Sequence, residues 1–245
     1  MRYLAFLLLF AGACARRAAD DSPLKVAAAA DLAQAFPEIG VLFTQATGKE
    51  VVFSFGSSGL LAKQVEAGGP FDVLATANVK YVDQVIAAKK CEGRTIYGIG
   101  QLVVLAAPNS TRAVSLEELG DPRYVKVAIA NPEHAPYGIA AQQALTAKGL
   151  WESVSPRLIH AENARQAFQL VESGNAEAGL IPIGLVRGAT ISSSRYTLVD
   201  QALHAPLQQG ITACGPRAAL GQKFIDVLMS EKGRAAMQKR GFVQP

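Results

Sequence analysis

Four short stretches of the 245-residue chain combine residue types able to grip a small anion: Ala30–Asp31, "FGSSG" at 55–59, "NPEHAPYG" at 131–138 and "AENAR" at 161–165. Each follows a short apolar run and precedes a helical pattern. Each therefore places a turn, with its free backbone N–H groups, where a strand hands over to a helix. Such N–H groups and the positive end of the helix dipole favour negative charge. "FGSSG" is the best equipped, because Gly56 allows close backbone approach and Ser57 and Ser58 add hydroxyl donors. A plain helix N-cap at Ser58 and a half-buried aromatic at Tyr137 are the blander alternatives. At Ala164 only the backbone could serve. No G-x-S-x-G elbow is present, since Leu60 stands where the last glycine would be, and His134, His160 and His204 lack metal-ligand spacing. Catalytic residues and a metal cluster are therefore not assigned.

The elements that must carry these turns are legible as runs and periods. "LKVAAAA", "VVFSF", "FDVLATA", "LVVLAAP", "VKVAIA", "RLIHA" and "AGLIPI" read as strands, separated by helical patterns at 32–46, 59–67, 78–89, 138–149 and 164–174. This alternation predicts an α/β protein with mostly parallel sheets flanked by helices. The order is disturbed at 98–108 and 207–214, which suit strands crossing between two lobes. Leu220, Phe224, Ile225, Leu228 and Met229 form one apolar helical stripe, and Gly233 suggests a break before a second short helix ending near Arg240.

With 50% hydrophobic residues, 18% charged residues and a net charge of +4 spread without like-charge runs, nothing argues for nucleic acid. The start, "MRYLAFLLLFAGAC", has the layout of an export signal over 1–13, followed by a polar tether over 14–23. "AGAC" resembles a bacterial lipobox, with Ala11 where that motif usually has Leu, and would make Cys14 a lipid attachment point; ordinary signal cleavage is the alternative. Export permits a disulfide between the two remaining cysteines, Cys91 and Cys214, with two buried free thiols as the alternative.

Taken in order, "AAAADL", "SFGSSGLLAKQVEAGGPFDVLATAN", "NPEHAPYGIAAQQAL" and "AENARQAFQLVESGNAEAGLI" make residues 24–245 resemble the periplasmic molybdate- and tungstate-binding proteins of ABC importers. The resemblance implies a hinged, two-lobed type II periplasmic binding fold, with 24–100 and 207–245 as lobe I and 101–206 as lobe II. It implies a monomer without cofactor that holds molybdate or tungstate through neutral donors and delivers it to a permease and its ATPase. Position by position, the family's donors fall on Asp31 (with Ala30 before it), Ser58, Tyr137 and Ala164. A tyrosine that many members carry falls on Pro182, which has neither hydroxyl nor N–H.

Asp31 is the departure with consequences, because that position usually offers Ser or Asn. At ~4 Å and an effective dielectric near 20, an ionised carboxylate repels a doubly charged anion by roughly 8 kcal/mol. Three readings are open: Asp31 caps its own helix with Gln34 completing the pair; it shares a proton with the ligand; or a cation replaces the anion. Pro37 complicates the first, since a turn over 32–36 and a helix starting at Pro37 fit equally well. A sensor that transports nothing and a relative that has lost oxyanion binding are the functional alternatives.

Overall fold

A computed structural model describes residues 22–245. The export signal, Cys14 and most of the tether lie outside the described residues.

The chain enters on β1 (Leu24–Ala29), whose small side chains let helices approach both faces closely, and Val26 to Ala29 are buried. A single 3-10 turn over Ala30–Leu32 separates β1 from α1 (Phe36–Thr47), which carries Pro37 in its first turn. The helix expected from residue 32 is thus replaced by the alternative break. Pro37 needs no N–H donor at a helix start but would remove one inside a helix. Then follow β2 (Val51–Gly56), α2 (Ser58–Glu66), β3 (Val73–Thr76), α3 (Lys80–Ala87) and β4 (Cys91–Gly100).

After Gln101 alone, β5 (Leu102–Ala106) opens the second lobe. It continues through β6 (Val127–Ala130), α4 (Pro136–Ala147), α5 (Trp151–Val154), β7 (Leu158–Ala161), α6 (Ala164–Glu172), β8 (Ala178–Pro182), α7 (Ile183–Gly188) and β9 (Tyr196–Leu198). The chain then returns on β10 (Leu207–Cys214) and finishes with α8 (Ala218–Met229) and α9 (Glu231–Lys239).

Two five-stranded sheets result, ordered β2-β1-β3-β10-β4 and β7-β6-β8-β5-β9. Each is mixed. The β1–β2, β1–β3, β6–β7 and β6–β8 ladders are parallel, whereas β10 and β5 pair antiparallel with both their neighbours. The antiparallel ladders lie where the chain crosses between lobes, since a strand that leaves one sheet and returns from the other need not run with the βαβ units. The tail reinforces one crossing: Ile99 and Val243 exchange backbone bonds of 2.8 and 2.9 Å, and the Gln101 carboxamide donates to the Gly241 carbonyl at 2.7 Å.

The stripe on α8 closes the first lobe, with Phe224 against Phe36, Phe43 and Phe53 at ring separations of 5.7, 5.7 and 6.1 Å. Three local expectations change. The run at 98–108 is two strands in different sheets, and the polar segment from Cys91 joins the first of them. Ile183 starts a helix instead of ending a strand, because Pro182 occupies the N-cap with φ −60°. The α8–α9 break falls at Ser230, whose hydroxyl caps the Gly233 N–H, and Gly233 lies inside α9, where a Cβ would come within 2.3 Å of the Val227 carbonyl. Cys91 and Cys214, cross-strand partners on β4 and β10, form a disulfide with an S–S distance of 2.03 Å.

Candidate functional site

Parallel βαβ units place their strand-to-helix turns at one edge of the sheet, and here the two sheets turn those edges toward each other. Ala30, Asp31, Ser57 and Ser58 from the first lobe meet Tyr137 and Ala164 from the second around one small cavity.

Ser58, Tyr137 and Ala164 stand in the first turns of α2, α4 and α6, where backbone N–H groups have no acceptor within their own helix. At α6 the cap itself is ordinary: the Asn163 side chain accepts from the Gln166 N–H at 3.1 Å, leaving the Ala164 N–H to the cavity side. Three helix N-termini thus deliver partial positive charge to one point. The Ser58 hydroxyl accepts from the Ala77 N–H at 3.0 Å, so its own hydrogen is available for a ligand. It does not cap its helix.

Ser57 has a different task. Its hydroxyl donates across the cleft to the His134 carbonyl at 2.6 Å, and the His134 ring Nδ1 lies 2.8 Å from the same oxygen. With the hydroxyl proton given to the carbonyl, Nδ1 must be the donor to Oγ. The Gly59 N–H at 3.0 Å and the Tyr81 hydroxyl at 3.5 Å reach the same carbonyl. One main-chain oxygen of the second lobe therefore collects three donors from the first, and the lobes are closed on one another. Gly59 is required here, since a Cβ would sit 2.8 Å from that carbonyl.

Asp31 turns inward. It is 1% exposed, makes no helix-capping bond, and its Oδ2 has no partner among the described residues. The capping reading fails for a geometric reason: Asp31 lies within the 3-10 turn, and α1 begins only at Phe36. Burial pushes its carboxyl pKa up to about 7, tempered by the nearby Tyr137 hydroxyl, its own backbone N–H and the Gln209 carboxamide.

Behind the carboxyl runs a buried polar chain. The Tyr97 hydroxyl donates to Gln209 Oε1 at 3.0 Å, and Gln209 Nε2 reaches the Tyr137 hydroxyl at 3.4 Å. Burial first, and the Asp31 charge second, hold both phenols well above the usual tyrosine range, so they remain donors. Gly100 makes room for this chain: a Cβ there would fall 2.1 Å from the Tyr137 hydroxyl.

The residues read from the sequence thus come together around one cavity, with Ser57 engaged in the interlobe contact. Gln209, Tyr97, Gly59 and the His134 carbonyl were not singled out. Gln209 stands beside Gln208 in the strand "LQQGITAC", and only the fold shows that it is the fully buried one of the two. For the others only the fold supplies the contact. Pro182 ends β8 and caps α7.

A family model described as bacterial extracellular solute-binding protein matches residues 24–243. The chain belongs to that family. It is 32% identical to the molybdate-binding protein ModA of Escherichia coli (strain K12) over 260 residues, covering 97% of each chain. It is 30% identical to the molybdate-binding protein ModA of Rhodobacter capsulatus, covering 89% of this chain and 86% of that one. In structure it is similar to the Azotobacter vinelandii periplasmic molybdate-binding protein, with a TM-score of 0.85 and 26% identity over 91% of this chain and 99% of that one. The resemblance read from the four motifs is borne out, and with it a two-lobed solute-binding fold and a non-enzymatic role.

Proposed function

We propose that this protein captures a tetrahedral oxyanion, molybdate or tungstate, in the interlobe cavity and presents it to the permease and ATPase of an ABC importer. The observation that carries the reading is the convergence of three helix N-termini and the Ser58 hydroxyl on one small cavity between the lobes. That set offers neutral donors and partial positive charge, which suits an anion and disfavours a cation. The similarity to molybdate-binding relatives over nearly the whole chain supports the choice of anion.

Ligand joins donors from both lobes, so it stabilises the closed form, and closure is the state a permease can distinguish. The protein works outside the cytoplasm, as a monomer without cofactor, held to a membrane by lipid on Cys14. Calorimetric titration of the purified protein with molybdate, tungstate, sulfate, phosphate and arsenate tests the reading. Molybdate or tungstate is expected to bind most tightly, and Ser58→Ala to weaken that binding by about 1.5–3 kcal/mol, the range for a hydrogen bond to a charged group. An absence of heat and of thermal shift with every oxyanion refutes the proposal. Unchanged affinity in Ser58→Ala refutes the placement of the ligand.

A further inference from the structure

Donors aimed at an anion explain every wall of the cavity except one. Asp31 brings an acid to the same space, 99% shielded from solvent, with no hydrogen-bond partner for Oδ2 among the described residues. An ionised carboxylate there would oppose a doubly charged ligand at contact distance, with little water to screen the repulsion.

Resting on the oxyanion reading, we propose that this protein binds its oxyanion together with one proton, held on Asp31 Oδ2 and donated as an O–H hydrogen bond to a ligand oxygen. The unpartnered acceptor thereby becomes a donor, and all walls of the cavity agree in sign. The Tyr137 hydroxyl and the Gln209 carboxamide behind it are neutral groups, so nothing beside the carboxyl requires it to be charged. An oxyanion that keeps a hydrogen at neutral pH, as hydrogen phosphate does, could supply the shared proton itself. The site thus admits two classes of tetrahedral anion, and only the fully ionised class must draw a proton from solvent.

The groups packed around the turn leave this proton to Asp31. The Tyr137 and Tyr97 phenols face it from α4 and β4, and Gln209 faces it from β10. Glu162 in the turn before α6, Arg165 on α6 and Arg187 on α7 are exposed, and His134 is turned to Ser57. Burial places the Asp31 transition near pH 7 in the unliganded protein, and an anion beside it shifts that transition further up.

The test is molybdate titration by calorimetry from pH 6 to 9, in Tris and HEPES, on the native protein and on Asp31→Asn. Molybdate stays doubly ionised throughout, so any proton uptake belongs to the protein. Below about pH 7 the native affinity is expected to be level, and above it to fall about tenfold per pH unit, with close to one proton taken up per ligand at pH 8. Asn, a neutral donor of the same shape, is expected to bind with a flat profile and no buffer-dependent heat. Native binding that is flat with pH and takes up no proton overturns the proposal. So does molybdate binding by Asp31→Asn alone, which would mean that Asp31 stays ionised. Failure of both proteins to bind any oxyanion at any pH is the distinct outcome that removes the oxyanion reading, and this inference with it.

Discussion

Replacing Asp31 by Asn is expected to change how stability depends on pH even without ligand, and the size of the effect follows from burial. An exposed aspartate gives up its proton near pH 4, whereas Asp31 does so at about 7. A group whose pKa is raised on folding adds stability that is complete below its unfolded pKa and lost as pH rises through the folded one. Across that interval each pH unit costs about 1.4 kcal/mol, so the native protein is expected to lose about 4 kcal/mol from this one group between pH 4 and pH 7, and no more above it. The Asn variant has no such proton to lose. Equilibrium urea unfolding of both proteins, disulfide intact, between pH 4.5 and 8.5 measures the difference. The variant's advantage should grow by a few kcal/mol up to about pH 7 and then level off. For a domain this size that is about 8–16 °C in Tm. Two curves that run parallel within about 0.5 kcal/mol refute the burial of an unpaired carboxyl on which the reasoning depends.

Two further outcomes test the frame around the site. Replacing Cys91 and Cys214 together by Ser opens a loop spanning 123 residues, and the chain-entropy account gives a loss of up to about 5 kcal/mol, read as a lower denaturation midpoint that matches the reduced native protein. Gly59→Ala places a methyl against the His134 carbonyl and is expected to hold the cleft partly open, costing about tenfold in oxyanion affinity, the equivalent of one lost hydrogen bond. Unchanged affinity, together with an unchanged radius of gyration of the liganded form in X-ray scattering, would show that the lobes do not close through this contact.

Much was legible in the chain because local physics dictates it. The alternation of β-branched runs with helical periods announced the α/β lobes, and the Ser/Gly and Pro/Gly turns marked where helices begin. These are short-range constraints, and Pro37 and Asn163 obey them without help from the rest of the molecule. The family motifs then made the two-lobed solute-binding fold and its ligand class readable. What stayed hidden depended on distant partners. Cys91 and Cys214 become neighbours only through the β4–β10 register, and the long run at 98–108 splits because Gly100 and Leu102 belong to different sheets. Gln209, Tyr97 and the His134 carbonyl acquire their roles only when the lobes face each other. Asp31 shows the division most clearly. Its residue type set the question of a carboxylate at an anion site, and three answers were compatible with the local sequence. The tertiary structure decided against the cap, because burial and an unpartnered Oδ2 are properties of everything packed around that turn, and no short stretch of sequence contains them.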